Sequence, residues 1–491
     1  MTRLCPIAIA IAITMSGATQ ASDFFADSTL DLKWKVNYYD IEGEVDAKNV
    51  PVPASLAGFD TTADIKYDMS IKDKGTSAWL NWQSGWLADA IGVEIEYQGA
   101  VIFDQSGKID GAADVDLTPA FGPGAGSASV PLSSNNPYFY GKEADETYVG
   151  KLGNANLRLK LGEADTETQV MFGRFTPSIY DLLHRPDEIY YGMHQVYEGV
   201  NIEGHYEWSR GMIEPWVRYI TGYSNEWNTD TVRFKDDLED VYTDDYGNTT
   251  NGFDEIINVG FHTENDFITS SASYSYAKEY LSNGIIEIYS GIPYSFMGLG
   301  DAENDKDHYI KYMVKYGFEK GLGDDNDDHS TDVYEFAVGL QHGSVDFLIG
   351  MTQNGDESFY GFETQDGMNA GGGTAVWGDV AILNTFKLAG QRTYFFVGGA
   401  DLDSLNLPNW RVQAVVANAN NTDLDALRVG DLIATPNEDY TEVNLDIIYA
   451  KNGYQGEGMS YVLKLGKDDN YNAFGFGFFV EYNGDLTQFI D

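Results

Sequence analysis

Apolar and polar residues alternate along nine stretches of this chain, and no other feature limits the possible fold as strongly. In the first stretch the apolar positions are Leu30, Leu32, Trp34, Val36 and Tyr38, and the polar positions between them are Asp31, Lys33, Lys35 and Asn37. Successive side chains of a β-strand point to opposite faces, so this spacing predicts a strand with one apolar and one polar face. The other stretches are 91–98, 156–161, 310–319, 334–341, 345–351, 443–449, 459–465 and 474–482.

Strands of this kind are typical of a transmembrane β-barrel rather than of a soluble sandwich. A membrane-spanning barrel strand needs about ten residues, apolar toward lipid and polar toward a water-filled lumen. A sandwich buries one face against a second sheet and tends to use shorter strands. Many of the apolar series also carry aromatic residues that suit the girdles at the two membrane interfaces, namely Trp34, Tyr38, Tyr97, Tyr316, Tyr449 and Tyr482. We therefore predict an all-β fold, a transmembrane antiparallel barrel.

The connections between the predicted strands alternate in length. Short turns at 85–89 and 342–344 are followed by long segments, which we expect to be external loops: about 40–75, 104–146, 176–198, 224–253, 354–390 and 419–437. Short periplasmic turns and long external loops are the usual arrangement of an outer-membrane barrel. The pattern indicates about 18 strands, an even number that puts both termini on the periplasmic side. The weakest part of this count is 279–307, where a strand at 285–289 leaves a long turn.

The N-terminus has the layout of a secretory signal. Arg3 precedes the apolar stretch 4–13, and small residues at 19 and 21 offer a cleavage site. We expect residues 1–21 to be removed, leaving 22–491 as a single barrel domain. Because Cys5 is the only cysteine, the mature chain has no thiol for a disulfide, a metal or nucleophilic catalysis.

The charge balance excludes one class of partner. The chain has 30 Lys and Arg residues against 77 Asp and Glu residues, a formal charge of -47. Such a surface repels a phosphate backbone, so nucleic acid is not a partner. Aromatic residues make up 14% of the chain, which is too much apolar ring surface for a disordered protein.

Several segments along the chain resemble the OprD family of substrate-specific outer-membrane porins. They are 27–32 with 37–39, 81–86, 354–356 with 371–373, 445–449, and 479–482. The resemblance implies an 18-stranded barrel whose third and seventh external loops, here 176–198 and 354–390, fold into the lumen. It also implies passive, selective uptake of small nutrients such as amino acids, carboxylates or oligosaccharides across the outer membrane of a Gram-negative bacterium.

Two features depart from the family pattern. Members that take amino acids and carboxylates place lumenal arginines in a ladder, and our alignment puts Gly398 and Val415 at those positions. The substrate of those members is therefore not carried over. The chain also ends in Asp491, where family members commonly end in an aromatic or apolar residue that the barrel-assembly machinery recognises.

We predict that the pore constriction lies in 176–198, where aromatic and ionisable residues are concentrated. The candidates are Tyr180, Asp181, His184, Arg185, Asp187, Glu188, Tyr190 and Tyr191, with His194 and Tyr197 nearby. Aromatic faces beside paired charges suit the passage of a sugar or an amphipathic ion, because selectivity comes from the lining of the narrowest section. The alternative is a capping loop whose tyrosines pack on the barrel wall.

The polar faces of the strands give a second set of candidates, the charges that line the lumen. The positive members are Lys33, Lys35, Arg158, Lys160, Lys311, Lys315 and Lys464, and the negative members are Glu94, Glu96, Glu203, Glu207, Glu335 and Glu442. Both signs are present, so a transverse field across the pore is one interpretation. The other is that these are solvated residues with little effect on transport.

We assign no metal and no cofactor. The acidic runs 236–240 and 324–328 lack EF-hand spacing, and a charge run is usually a solvated loop. One pair of residues could indicate an enzyme, because His342 and Ser344 lie on either side of a glycine. Their position in a tight turn argues against a catalytic pair.

The predicted function is therefore passive, selective uptake, and the acidic composition favours cationic or neutral solutes. The expected partners are small solutes, outer-membrane lipid and the barrel-assembly machinery. The permeant solute and the choice between monomer and homo-oligomer are left open. The alternatives are a secreted acidic adhesion or carbohydrate-binding protein and, less favoured, a barrel hydrolase.

Overall fold

The computed structural model describes most of the chain. The described residues are 24–25, 27–52, 61–121, 126–134, 148–163, 165–177, 181, 183, 193–224, 232–233, 242–243, 249–250, 253–265, 268–297, 308–322, 329–359, 362–363, 369–370, 388–424, 437–452, 456–470 and 472–486. The predicted signal peptide at 1–21 and the acidic runs at 236–240 and 324–328 lie outside these residues.

Eighteen antiparallel strands in the described part of the chain form one closed barrel. They are β1 Thr29–Val52, β2 Thr61–Gln83, β3 Ile91–Asp116, β4 Tyr148–Leu161, β5 Thr166–Phe175, β6 Val196–Trp208, β7 Gly211–Ser224, β8 Ile256–Asn265, β9 Thr269–Ala277, β10 Leu281–Pro293, β11 His308–Gly321, β12 Ser330–His342, β13 Val345–Asn354, β14 Arg392–Asp401, β15 Trp410–Asn420, β16 Tyr440–Ala450, β17 Gly458–Asp468 and β18 Ala473–Asp485. Each strand pairs with the next along the chain, and β1 pairs with β18 from Asp31↔Asp485 to Glu42↔Phe474. This last pairing closes the barrel, as the alternation predicts.

Short elements complete the described structure. Ser127–Ser134 pairs with the far end of β3, and Val232–Arg233 pairs with the end of β7. Two separate small sheets are formed by Tyr242–Thr243 with Thr249–Thr250 and by Phe362–Glu363 with Asn369–Ala370. One helical turn spans Thr118–Phe121, and 3₁₀ turns span Tyr294–Met297 and Asp403–Leu405. Within the described ranges, no helix is long and apolar enough to cross a membrane.

The two faces of the barrel differ sharply in polarity. On β12, Phe336 on the outer face is 54% exposed, whereas its neighbour Glu335 on the inner face is only 2% exposed. Ile349 on β13 is likewise exposed outward, next to an inward Leu348 that is 9% exposed. Soluble proteins rarely expose large contiguous apolar surfaces, so an apolar exterior around a charged interior is the pattern of a barrel that meets lipid on its outside.

Aromatic residues gather on the outer face near both ends of the barrel. We call the end with the short turns and both described termini the turn rim, and the opposite end the loop rim. Trp410, Tyr449 and Tyr461 form a row at the turn rim, with ring centroids 5.2 and 5.9 Å apart. Tyr316 and Tyr334 pack at 5.0 Å near the loop rim. These rows lie where aromatic girdles are expected.

The first three strands are much longer than the alternation indicated. The interpretation of 40–75 as a loop is wrong, because β1, β2 and β3 have 24, 23 and 26 residues. β18 accompanies β1 only as far as Glu42, so 43–52, 61–72, 104–116 and 127–134 form a four-stranded extension beyond the loop rim. The long turn at 294–307 after β10, by contrast, agrees with the sequence.

The extension is amphipathic, which explains both its stability and why its sequence looks like a loop. One face buries Val45, Ile65 and Tyr67 against apolar residues that include Leu388 and Leu424 of the connections after β13 and β15. Its other face carries dense charge, such as the exposed pair of Lys66 and Glu44 at 3.2 Å. The period of two therefore continues, but charged residues on the solvent face dilute the apolar signal.

Candidate functional site

The predicted lumenal charges all lie on the inner face of the barrel wall. The residues concerned are Lys33, Lys35, Glu94, Glu96, Arg158, Lys160, Lys311, Lys315 and Lys464, together with Glu203, Glu207, Glu335 and Glu442. Several are paired across neighbouring strands, such as Lys160 with Glu167 at 2.9 Å and Lys315 with Glu287 at 3.1 Å. The wall therefore carries both signs, and some opposite charges are paired across neighbouring strands.

Trp79 on β2 is the centre of one group on this wall. The ammonium groups of Lys33 and Lys35 lie 5.6 and 5.2 Å from its ring centroid, and the His194 ring stacks on it at 6.2 Å. Lys35 also lies 3.8 Å from Glu481 of β18. The sequence analysis did not single out Trp79, although Leu80 and Trp82 on the outer face imply that Trp79 points inward.

Glu94 and Arg158 occupy the wall beside this group, closer to the turn rim. Glu94 accepts hydrogen bonds from the amides of Asn81, Asn154 and Asn156 at 3.2, 3.1 and 2.9 Å. Arg158 donates to Gln83 at 2.9 Å and to the carbonyl of Ser84 at 3.0 Å, and its guanidinium lies 5.0 Å from the ring centroid of Trp86. Neutral partners thus hold both charges in fixed positions without pairing them to each other.

The connection between β5 and β6 enters the barrel and is anchored to the wall at Asp181. The carboxylate of Asp181 forms an ion pair with Arg218 of β7. It also accepts hydrogen bonds from Asn258 of β8 and Ser273 of β9, both at 3.0 Å. Leu183 is completely buried among apolar residues near the loop rim. This limb of the connection is therefore held against β7, β8 and β9.

The returning limb of the same connection is anchored at His194, on a different part of the wall. The backbone N–H of His194 donates to Gln98 of β3 at 3.2 Å, and Lys151 of β4 donates to its carbonyl at 2.7 Å. The His194 ring lies 3.1 Å from a carboxylate oxygen of Glu96. The two anchored limbs thus reach the wall at β7–β9 and at β2–β4, and both reduce the free cross-section of the barrel.

Only part of the predicted constriction can be located. Asp181 is placed at the wall of β7–β9, whereas His194 is buried in the returning limb and Tyr197 is buried at the start of β6. The remaining candidates, Tyr180, His184, Arg185, Asp187, Glu188, Tyr190 and Tyr191, lie outside the described residues.

Sequence analysis missed the three wall residues that hold Asp181, namely Arg218, Asn258 and Ser273. Arg218 lies between Val217 and Tyr219, which are both exposed on the outer face, so its inward position follows from the period of two. No signal along the chain links Arg218 to Asp181, which is why the contact could not be predicted.

An acidic cavity opens on the wall between β5 and β7. It has a volume of about 260 Å³ and is lined by Glu167, Gln169, Glu203, Gly204, His205, Glu214, Pro215 and Trp216. Glu203 also accepts a hydrogen bond from Arg218 at 2.6 Å, and Glu214 contacts His205 at 2.9 Å. Glu167 is paired with Lys160 and Glu203 with Arg218, so Glu214 beside His205 is the carboxylate of this cavity that no described lysine or arginine contacts.

The alignment of Gly398 with a lumenal position is wrong by one residue. Gly398 lies on the outer face of β14 beside Phe396, and Val397 is the inward residue that pairs with the buried Val415 of β15. An inward arginine does exist on β15, closer to the turn rim. Arg411 contacts Asp401 at 3.2 Å and Asp346, which in turn lies 2.9 Å from Lys311.

The acidic runs 236–240 and 324–328 lie outside the described residues, so metal binding there stays untested. In the part of the chain that the structure describes, no group of three or more His, Cys, Asp and Glu residues is arranged to hold a metal. His342 contacts the rings of His308 and Tyr294, and no hydrogen bond between described groups joins it to Ser344. The turn at 342–344 therefore shows no catalytic pair.

Comparison with known proteins identifies the fold. No protein-family model and no curated protein sequence matches the chain. Among solved structures, OccK9 (OpdG) of Pseudomonas aeruginosa matches with a TM-score of 0.62 and 13% identity over 94% of this chain and 100% of that one. OpdK of the same organism, solved with vanillate, matches with a TM-score of 0.63 and 12% identity over 94% of this chain and 100% of that one. OccAB2 of Acinetobacter baumannii matches with a TM-score of 0.62 and 12% identity over 94% of this chain and 99% of that one. A doubly substituted OccD1 (OprD) matches with a TM-score of 0.60 and 12% identity over 95% of this chain and 98% of that one. The chain therefore has the 18-stranded barrel fold of the OprD-type proteins, as its sequence resemblance implies.

Proposed function

We propose that this protein is an outer-membrane channel for the passive, selective uptake of small polar solutes in a Gram-negative bacterium. The observation that carries the proposal is the interior: a charged wall against which the connection between β5 and β6 is anchored at Asp181 and His194. A closed barrel partly filled by an anchored connection is suited to letting small solutes pass while rejecting large ones. The similarity of the fold to OprD-type barrels supports this assignment.

The exterior supports a place in the membrane. Large apolar side chains such as Phe336, Ile349 and Phe396 are 54%, 49% and 41% exposed on the outer face. Contiguous apolar surface of this extent is unfavourable in water, whereas a closed barrel satisfies its backbone hydrogen bonds within lipid. Export directed by residues 1–21 and insertion by the barrel-assembly machinery belong to the same proposal.

The distribution of charge favours cationic or neutral solutes. The chain carries a formal charge of -47, and lipid-facing strand positions hold charge only at high cost, so the acidic residues belong on loops and on the inner wall. The cavity lined by Glu167, Glu203 and Glu214 is one place where they concentrate. A passage lined mainly by one sign attracts counterions and repels ions of its own sign.

Bilayer recordings and liposome swelling with the purified protein test this function. We expect discrete conductance steps, a cation-selective reversal potential in a potassium chloride gradient, and faster swelling with basic amino acids and small sugars than with carboxylates. Shortening 176–198 should raise the conductance and weaken the discrimination among solutes. Recovery of the protein in a soluble secreted fraction, or a barrel that inserts without conducting, would contradict the proposal.

The two alternatives explain less of what is observed. A secreted adhesion or carbohydrate-binding protein gives no reason for an apolar exterior with aromatic rows at both ends. A hydrolase needs an activated nucleophile, and the contacts of His342 are with aromatic rings.

A further inference from the structure

We propose that the inner wall of β7, β8 and β9 contains a carboxylate-binding site, and that Asp181 is its intramolecular ligand. The site is formed by Arg218, Asn258 and Ser273, one residue from each strand. Its ligand class is a small monocarboxylate such as formate or acetate, which binds when the side chain of Asp181 is absent. The site depends only on the wall, whether or not solutes cross the barrel.

The contacts of Asp181 are those of a bound carboxylate. One oxygen accepts hydrogen bonds from Asn258 Nδ2 and Ser273 Oγ, each at 3.0 Å. The other oxygen faces the guanidinium of Arg218, and both side chains of this ion pair are completely buried. Charge-assisted and neutral donors thus converge on one carboxylate from three neighbouring strands.

The wall holds these donors in place without help from Asp181. Arg218 donates to Asn201 at 3.1 Å, to Asn258 Oδ1 at 3.1 Å and to Glu203 at 2.6 Å, and its guanidinium lies 5.1 Å from the ring centroid of Trp216. Asn258 is fixed further by a hydrogen bond to Ser275 at 3.0 Å. Because each donor has partners on the wall, the site should keep its shape when the Asp181 side chain is removed.

Asp181 differs from the other inward carboxylates described above because it belongs to a connection and not to a strand. Glu94, Glu96 and Glu203 belong to the strands themselves, so their carboxylates cannot leave without breaking the barrel. Asp181 lies in the connection between β5 and β6, and within the described residues of that connection it accepts a hydrogen bond from the backbone N–H of Leu183 at 2.9 Å. Its attachment to the wall is therefore a binding event within one molecule, which benefits from the high effective concentration of a tethered ligand.

Rescue by formate tests the site directly. Full-length Asp181→Ala in detergent should unfold at a lower temperature than the wild type, and formate should raise that temperature in a saturable way, because a ligand that binds only the folded state stabilises it. Sodium chloride at equal ionic strength and methylammonium chloride should have no such effect. If Asp181→Ala does not fold alone, the refolding yield with formate compared with chloride becomes the measurement.

Matched variants separate the site from general salt effects. Formate should not stabilise the wild type, whose site is filled, nor Asp181→Asn, whose amide occupies the same space. Glu163→Ala at the β5 turn should behave as the wild type. Adding Ser273→Ala to Asp181→Ala should weaken the formate response by removing one donor. An equal formate response in all variants, or none in Asp181→Ala, would overturn the proposal.

A second measurement links the site to the channel. In bilayers, Asp181→Ala should show altered conductance that formate returns toward the wild-type value while chloride does not. A positive thermal result with no conduction by any variant would contradict the channel function and leave the carboxylate site standing. Conduction by every variant, with no change of unfolding temperature on adding formate, would contradict the carboxylate site and leave the channel function standing.

Discussion

Asp181 and Arg218 form a completely buried ion pair inside the barrel, although one residue belongs to a connection and the other to a strand. Two charges removed from water are costly unless each is well paired, and here the guanidinium also contacts Glu203 at 2.6 Å. The position of this limb of the connection inside the barrel therefore depends on electrostatic satisfaction at Arg218.

Replacing Arg218 with Met should be strongly destabilising. The change leaves the carboxylates of Asp181 and Glu203 without their common partner, and breaking a buried pair costs about 3–5 kcal/mol. Urea unfolding from lipid vesicles measures this loss. Arg411→Met is the matched control, because that side chain is 28% exposed beside Asp346 and Asp401 and should cost about 1 kcal/mol or less. Equal losses in the two variants would contradict the assigned role of Arg218.

Replacing Lys151 with Met should loosen the returning limb at His194. The ammonium of Lys151 donates to the His194 carbonyl at 2.7 Å, and a hydrogen bond to a charged group contributes about 1.5–3 kcal/mol. Hydrogen exchange at residues 193–195 should then speed up by about tenfold or more, since 1.4 kcal/mol corresponds to a factor of ten. Lys467→Met, at an exposed lysine of β17, should leave this exchange unchanged.

Replacing Glu214 with Gln should reduce cation selectivity. Glu214 lines the acidic cavity with Glu167 and Glu203, and removing one of these charges weakens the local attraction for cations. Under a tenfold potassium chloride gradient the reversal potential should move toward zero, and the difference from the wild type should shrink as both baths are made saltier. Glu163→Gln at the β5 turn is the control. An unchanged reversal potential would place the selective section elsewhere.

His329, in the connection before β12, should make stability depend on pH. Burial lowers the pKa of this imidazole, but Glu319 at 2.7 Å and Glu357 at 2.5 Å outweigh that effect and raise the pKa above its ordinary 6.5. A raised folded pKa means that the stabilisation is complete below about pH 6.5 and is lost as the pH rises through the folded value. Between about pH 6 and pH 9, the unfolding temperature of the wild type should fall more than that of His329→Gln. If the unfolding temperatures of the wild type and of His329→Gln change equally with pH, the contacts with Glu319 and Glu357 do not favour the charged imidazole.

The sequence alone predicted the number of strands and the direction of their side chains, but not the full length of β1, β2 and β3. The period of two put Lys33, Arg158 and Lys311 on the inner face because a strand has no other way to order its side chains. It also predicted the strand number, since each membrane-spanning strand needs a similar length. The assignment of Gly398 to the lumen was wrong because an alignment error of one residue moves a side chain to the opposite face, whereas the period of two places Gly398 outward with Phe396.

Only the tertiary structure decided what meets inside the barrel. Asp181 lies 77 residues from Asn258 and 92 residues from Ser273 along the chain, and these residues become neighbours because the barrel closes and the connection turns inward. The extension of β1, β2 and β3 needed the structure as well, because its buried face is covered by Leu388 and Leu424 from distant connections. Local spacing fixes which way a side chain points, whereas its partner depends on closure and register, which are properties of the whole sheet.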